Sequence, residues 1–221
     1  MGGLHRGRAT GKLSLIELRT FMNKKSHIES RRCPWVDLSK PEYVEYHDKE
    51  WGVPVFDDRT IFEFLTLETA QAGLSWYTVL RKRDHYRQAY RGFDPEKVAR
   101  FNASDIERLI QNPGIIRNRL KIEASVHNAR RFLEVREEHG SFSNYIWGFV
   151  DNKPRINKIK KLSDYAATSK ESDALSRDLK KRGFKFVGST TCYAHMQATG
   201  MVNDHSLDCF RRNEIIRDYK S

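Results

Sequence analysis

The stretch Lys180-Lys181-Arg182-Gly183-Phe184-Lys185-Phe186-Val187-Gly188-Ser189-Thr190 decides the fold that the sequence predicts. A helix ends at Gly183, a tight turn follows, and a second helix begins at Ser189 or Thr190. Glycine lets the turn approach another surface, and free N–H groups at a helix start can bind phosphate. The stretch predicts a helix-hairpin-helix element that contacts a nucleic-acid backbone through Lys185, Gly188, Ser189 and Thr190. The alternative is an ordinary helix–helix corner with solvated lysines.

The rest of the ordered sequence is also helical in pattern. Apolar residues recur at helical spacing over roughly Arg117–Glu137, and no convincing strand-like alternation is present. Further helix starts are predicted at Ser39 with Pro41 and Glu42, at Asp57 or Asp58, at Ser104 with Glu107, and near Ser172. The fold class predicted is therefore all-α.

Composition favours a globular protein that binds polyanions. The chain has 221 residues, with 40 Lys and Arg against 29 Asp and Glu, and a formal net charge of +11. Such an excess indicates nucleic acid first, although a basic housekeeping enzyme would fit too. No run of about 18 apolar residues is present, so we expect no membrane contact and a cytoplasmic location. Three cysteines do not indicate a disulfide framework.

Two Cys/His pairs are candidate metal ligands. His205 and Cys209 lie four residues apart, and Cys33 lies fourteen residues before His47. Two thiolates and two imidazoles are a donor set that tetrahedral structural zinc prefers. Each pair alone could equally be a buried cysteine with an unrelated histidine. The third cysteine, Cys192, is predicted to lie in the core.

Glu68 is the only charged residue between Glu63 and Arg81. Helical phase places it with Ile61, Leu65 and Ala72 on an apolar stripe. Because an isolated buried carboxylate is costly, it needs a partner or a ligand. A carboxylate near Trp76 could hold a flipped cationic purine, by stacking and by a hydrogen bond to its amine. The alternative is a core glutamate paired with an arginine.

Together these residues resemble the 3-methyladenine DNA glycosylase I family, within the helix-hairpin-helix glycosylases. The resemblance covers about Arg32 to Arg212 and includes five stretches: Cys33-Pro34-Trp35, Tyr46-His47-Asp48-Lys49-Glu50-Trp51-Gly52-Val53-Pro54, Gln71-Ala72-Gly73-Leu74-Ser75-Trp76, Lys181–Gly188 and Val202-Asn203-Asp204-His205. It implies residues 32–212 as the glycosylase domain, 1–31 as an N-terminal extension, flexible or non-native, and 213–221 as a C-terminal tail.

The resemblance also implies site residues. One structural zinc would join the N- and C-terminal segments through Cys33, His47, His205 and Cys209. Glu68 would recognise the base and act in catalysis, inside aromatic walls formed by Tyr46, Trp76, Trp51, Tyr43 and Trp35. The family lacks the usual catalytic aspartate of its superfamily, and Asp204 is only a weak candidate for that role. Thr69 departs from the family pattern, which has a glycine there.

The implied activity is monofunctional hydrolysis of the N-glycosidic bond of 3-methyladenine in double-stranded alkylated DNA, by a monomer. No lysine is proposed as a Schiff-base nucleophile. Two other functions stay open from the residues alone. A non-catalytic, zinc-stabilised DNA-binding protein would explain charge and metal ligands but not Glu68. An enzyme acting on small nucleosides or RNA would need little of the basic hairpin.

Overall fold

The structure is a computed structural model that describes residues 31–220, which contain eleven α-helices. The prediction for residues 1–31 lies almost wholly outside this range. The helices are α1 (Pro41–Lys49), α2 (Asp58–Gln71), α3 (Trp76–Leu80), α4 (Arg83–Ala89), α5 (Pro95–Ala99), α6 (Ala103–Ile110), α7 (Arg119–His139), α8 (Phe142–Trp147), α9 (Lys170–Lys181), α10 (Ser189–Ala198) and α11 (Phe210–Lys220). Short 3-10 turns lie at Arg91–Phe93, Gly148–Val150 and Leu162–Asp164.

Helix α2 lies at the centre of the core. Ten of its fourteen residues are buried, in an unbroken run from Ile61 to Ala70. Asp57 caps its start, because the Asp57 side chain accepts a hydrogen bond from the Thr60 backbone N–H. Helices α7, α8 and α10 pack around it. A helix buried on nearly every side explains why Glu68 cannot avoid the protein interior.

Helices α9 and α10 pack on each other and are joined by residues 182–188. Ser169 caps α9, and Gly183 ends it with a φ of +88°, a conformation that favours glycine. Phe184 and Val187 anchor the connection in the core, whereas the residues between them are exposed. The predicted order of helix, turn and helix is thus present.

Two very short strands were not predicted. Strand β1 (Arg155–Ile156) pairs in parallel with β2 (Val202–Asn203), with Arg155 opposite Val202. A further bridge joins Ile159 to Ser206. Strands of two residues carry too little alternation to be read from sequence. They lay the connection after α8 against the residues that precede His205.

Several predicted helix caps were wrong. The first residue before α1 is Lys40 without a side-chain cap, because Ser39 bonds to Asp37 instead. Asn102 with Asp105 forms the capping box of α6, in place of Ser104 with Glu107. Gly188 precedes α10, so neither Ser189 nor Thr190 caps it. Helix α6 is therefore capped by a different side chain, whereas α1 and α10 begin after residues that provide no side-chain cap.

Residues from Arg32 onward form one unit. Helix α11 runs through the predicted boundary at residue 212, and Ile215 within it is buried. Residues 213–220 thus continue this helix, and Ile215 packs into the interior. Across residues 31–220, every helix is too short or too polar to traverse a lipid bilayer.

Candidate active site and metal centre

Glu68 is buried near the C-terminal end of α2, with 5% of its surface exposed. Within residues 31–220, its carboxylate has no hydrogen-bond or ion-pair partner. Burial alone raises the pKa of Glu68 from 4.5 to about 8. The arginine-paired alternative does not apply, since the nearby buried Arg83 pairs with Glu63 and Glu50 instead. Burial thus favours the neutral form of Glu68, and a nearby cation would favour its ionised form.

The Glu68 side chain opens into a cavity of about 310 Å³. All five aromatic residues predicted as base-binding line this cavity with it: Trp35, Tyr43, Tyr46, Trp51 and Trp76. The remaining lining residues are Gln71, Leu162, Tyr165, Ala166, Ala194 and Gln197. A cavity of this volume can hold a single planar heterocycle. Five separate stretches of sequence therefore meet around one cavity.

The aromatic walls brace one another. The Trp35 ring centroid lies 4.8 Å from that of Trp51 and 5.1 Å from that of Tyr43. The ring centroids of Tyr46 and Trp76 are 5.3 Å apart. Edge and tilted contacts at these distances are the favourable arrangements for aromatic pairs. The walls are consequently held in place before any ligand arrives.

Trp76 is positioned by the turn that ends α2. Gly73 there has a φ of +81°, and the Ser75 side chain accepts from the Thr78 N–H to cap α3. Lys121 reinforces the turn, because its Nζ donates to the carbonyls of Ala70 at 2.9 Å and Ala72 at 2.5 Å. Ala72 itself is exposed beyond the helix end, contrary to its predicted place on the buried stripe.

A second, smaller cavity of about 180 Å³ adjoins the first. Glu68, Gln71 and Ala194 line both. Its other lining residues are Ala72, Gly73, Leu74, Thr190 and Thr191. The start of α10 thus lies beside the aromatic cavity. The base-binding and DNA-backbone residues predicted from distant motifs are neighbours in space.

The residues predicted to contact the DNA backbone lie along the exposed turn and the start of α10. Asn128 clamps the turn, accepting from the Lys185 N–H at 2.8 Å and donating to the Lys185 carbonyl at 2.9 Å. The backbone N–H groups of Ser189 and Thr190 have no hydrogen-bond acceptor within the described range. The Ser189 hydroxyl, however, donates to Asp173 at 2.5 Å. The backbone, rather than that hydroxyl, is available for a phosphate.

The four predicted metal ligands converge. Cys33, His47, His205 and Cys209 are all buried, and their ligand atoms lie within 4.8 Å of one another. The His205 Nδ1 is 3.4 Å from Cys33 Sγ and 3.3 Å from Cys209 Sγ, and His47 Nε2 is 3.5 Å from Cys209 Sγ. A tetrahedral zinc with usual bond lengths separates sulfur and nitrogen ligands by roughly 3.5 Å. The donor set and its spacing therefore fit a four-coordinate metal.

Groups outside the four-ligand cluster orient its two imidazole rings. The His47 Nδ1 lies 2.8 Å from Asp48 Oδ1, and Arg32 in turn holds Asp48. The His205 Nε2 lies 2.9 Å from the Trp51 carbonyl. With these contacts, His47 Nε2 and His205 Nδ1 face the two sulfur atoms. Metal-binding histidines are commonly oriented in this way, by a hydrogen bond at the ring nitrogen that does not bind the metal. Trp51 links this centre to the aromatic cavity.

The remaining candidates lie elsewhere. Asp204 is completely buried, is absent from the cavity lining, and accepts three hydrogen bonds from protein groups. No part of it is open to a reacting sugar. Cys192 is buried in the main core, as predicted, and burial raises its pKa to about 12.

Sequence reasoning missed cavity residues in three segments of the chain. Gln71 follows Glu68 by three positions, so helical phase could have found it. Ala194 and Gln197 lie on one face of α10 and carried no separate signal. Tyr165 lies in the polar connection after α8, where no periodicity marks any residue. The pairing of β1 with β2 and the bridge between Ile159 and Ser206 hold that connection near the cavity.

A family model for methyladenine glycosylase matches residues 35–212, most of the chain. The chain belongs to the methyladenine glycosylase family. A DNA-3-methyladenine glycosylase of Haemophilus influenzae is 51% identical over 178 residues, covering 80% of this chain and 96% of the relative. DNA-3-methyladenine glycosylase 1 of Escherichia coli K12 is 50% identical, covering 80% and 95%. The family and enzyme class predicted from the sequence are confirmed.

Solved structures of methyladenine glycosylases have the same fold. A variant of 3-methyladenine DNA glycosylase I in complex with 3-methyladenine aligns with a TM-score of 0.79 at 38% identity, over 82% of this chain and 97% of that one. A crystal structure of 3-methyladenine DNA glycosylase I aligns with a TM-score of 0.78 at 51% identity, over 81% and 98%. The predicted all-α fold is confirmed.

Proposed function

We propose that this methyladenine glycosylase releases 3-methyladenine from alkylated DNA, with the Glu68 cavity as the site that receives the base. The observation that carries the proposal is a buried acid with no protein partner among aromatic walls. Such an acid costs stability when ionised, so it is retained where a ligand offsets the cost. A cationic purine supplies the positive charge, and the aromatic rings supply stacking.

The chemistry follows from the charge of the lesion. Methylation at N3 makes the base cationic, so the N-glycosidic bond breaks with its electron pair moving onto the base. The base then leaves neutral and needs no proton from the enzyme. Water adds to the sugar carbon and gives its proton to solvent. Ionised Glu68 favours the bound cation before the bond breaks, and the bound base displaces water from between the aromatic walls.

A monofunctional reaction is supported by the lining of the cavity. A Schiff base with the sugar would need a lysine amine at the reacting carbon. Lysine is absent from both cavities that the described residues form around Glu68. Hydrolysis by water is therefore the reaction that this site fits.

We propose that the four-ligand cluster binds one structural zinc. Four protein ligands leave no open position, so such an ion supplies stability rather than chemistry. Cys33 and His47 come from the beginning of the domain, and His205 and Cys209 come from its end. Because Trp35 follows Cys33 and Trp51 touches His205, this joint also holds two aromatic walls in position.

We propose that residues 182–188 and the start of α10 act as a helix-hairpin-helix element on double-stranded DNA. The support is the pair of unbonded backbone N–H groups at Ser189 and Thr190, next to the exposed Lys185. A phosphate bound there would place its nucleotide beside the second cavity, which opens toward Glu68. Backbone contacts of this kind bind without reading sequence.

We propose that Leu74 occupies the gap that an extruded base leaves. It lies at the tip of the turn after α2, is 41% exposed, and lines the second cavity. An apolar side chain fixed at the mouth of a base pocket can insert between base pairs. Lys121 donates two hydrogen bonds to backbone carbonyls just before this turn, and these hydrogen bonds hold Leu74 in position.

The test is product analysis on methylated duplex DNA. Free bases are separated by chromatography, and 3-methyladenine is the expected product. We expect 7-methylguanine and hypoxanthine to remain in the DNA, because neither is a purine alkylated at N3. DNA binding without any release of base would favour the non-catalytic alternative and overturn the proposal. Activity that is insensitive to added salt would favour a small nucleoside substrate instead.

A further inference from the structure

Asp204 is a buried carboxylate that the proposed chemistry does not use. It is 0% exposed, and its Oδ1 accepts from Asn157 Nδ2 at 2.6 Å. Its Oδ2 accepts from the Tyr193 hydroxyl and from Gln197 Nε2, both at 2.8 Å. No cation pairs with it within residues 31–220. Three neutral donors therefore satisfy this carboxylate.

Gln197 connects this network to the aromatic cavity. It is half-buried on α10 and lines the cavity together with Ala194. Its amide nitrogen is committed to Asp204. Both Asp204 oxygens accept hydrogen bonds, so the NH2 group of Gln197 faces Asp204 and its amide oxygen faces away. No described group donates to that oxygen, which leaves it available at a residue that lines the cavity.

We infer that Asp204 is a positioning residue that fixes Gln197 as a hydrogen-bond acceptor for the exocyclic amine of the bound base. This inference rests on the proposed function. The cavity then offers two acceptors, the Glu68 carboxylate and the Gln197 amide oxygen. A 6-amino purine matches them, whereas a 6-oxo purine presents an acceptor to an acceptor. The network would thus select 3-methyladenine against 3-methylguanine.

The decisive variant is Asp204→Asn. An asparagine can donate as well as accept, so it allows the Gln197 amide to turn over and present its NH2 group to the cavity. The ratio of 3-methyladenine to 3-methylguanine released from methylated DNA should then fall by about tenfold or more. A purely structural role would lower both activities together and leave the ratio unchanged.

Tyr193→Phe is the matched control. It removes one hydrogen bond to Asp204 from a residue outside the cavity, without permitting the amide to turn over. The release ratio should stay at the wild-type value even where thermal stability falls. A shift in the ratio as large as that of Asp204→Asn would contradict the inference, since loosened packing alone would then explain both.

Two further measurements keep the inference testable. Should Asp204→Asn fail to fold, Gln197→Met removes the amide oxygen at similar volume, and an unchanged ratio there would overturn the inference. Binding of the free bases, followed by the fluorescence of the cavity tryptophans, reports the same preference without chemistry. A wild-type protein that releases no base would defeat the proposed function, while the binding ratio of the variants would still decide this inference.

Discussion

Replacing Glu68 by glutamine should stabilise the protein at neutral and alkaline pH while removing its main activity. Glutamine has nearly the same shape and cannot ionise. In the unfolded chain the Glu68 carboxyl ionises near pH 4.5, but in the folded protein its pKa is about 8 because it is buried. As pH rises between these values, only the unfolded state gains the charge, so the wild type steadily loses stability.

The size of the effect follows from the two pKa values. Each pH unit between them costs the wild type about 1.4 kcal/mol, so its disadvantage against Glu68→Gln should grow by roughly 3 to 4 kcal/mol between about pH 5 and about pH 8. Other titrating groups are common to both proteins and cancel in the difference. Urea unfolding of wild type and variant at both pH values measures it.

Activity should move in the opposite direction. Glu68→Gln should release 3-methyladenine much more slowly while binding duplex DNA almost as tightly, because the backbone contacts lie elsewhere. Glu63→Gln is a contrasting control, since Glu63 is also buried but pairs with Arg83 and Arg87, and its loss should destabilise the fold. A stability difference for Glu68→Gln that does not change with pH, or equal losses of excision and DNA binding, would refute the reasoning.

Three further predictions concern other parts of the molecule. Elemental analysis should find about one zinc per chain, and Cys209→Ala should lose both the metal and thermal stability; purified wild type without metal would remove the proposed joint. Asn128→Ala should release the turn that carries Lys185 and weaken DNA binding with little change in affinity for free 3-methyladenine, as measured by titration of each ligand. Burial lowers the pKa of His195 to about 4, and its ring nitrogens have no described partner, so stability should fall by roughly 3 kcal/mol as pH drops from about 6.5 to about 4; His195→Leu should flatten that slope in acid unfolding.

The sequence predicted the site better than it predicted the details of the helices. Glu68 could be found because a lone acid on an apolar helical stripe is unusual, and burial is what makes it unusual. The two Cys/His pairs could be matched because few donor sets suit a closed metal centre. The cap of α6 was misassigned because Asn and Ser compete for the same position, and the cap of α1 because Ser39 bonds to Asp37 and not to the helix. Such local competition is decided by packing.

Other features depend on contacts between distant segments. Tyr165 reaches the cavity in a connection that pairs with distant residues through β1 and through Ile159, and such short pairings leave no recognisable pattern. Gln197 acquires its orientation from Asp204, seven residues away but across a helix end. Neither relation follows from periodicity or composition. These residues could be identified only from the three-dimensional structure.

The burial of the cysteines has a consequence for survival under chemical stress. Agents that methylate adenine also attack sulfur nucleophiles, so a protein working in their presence risks being damaged by the compounds that create its substrate. All three cysteines of the chain are 2% exposed. Two of them would also be shielded as metal ligands. The enzyme therefore offers no accessible thiol to electrophiles, and it should keep working during the exposure that makes it necessary.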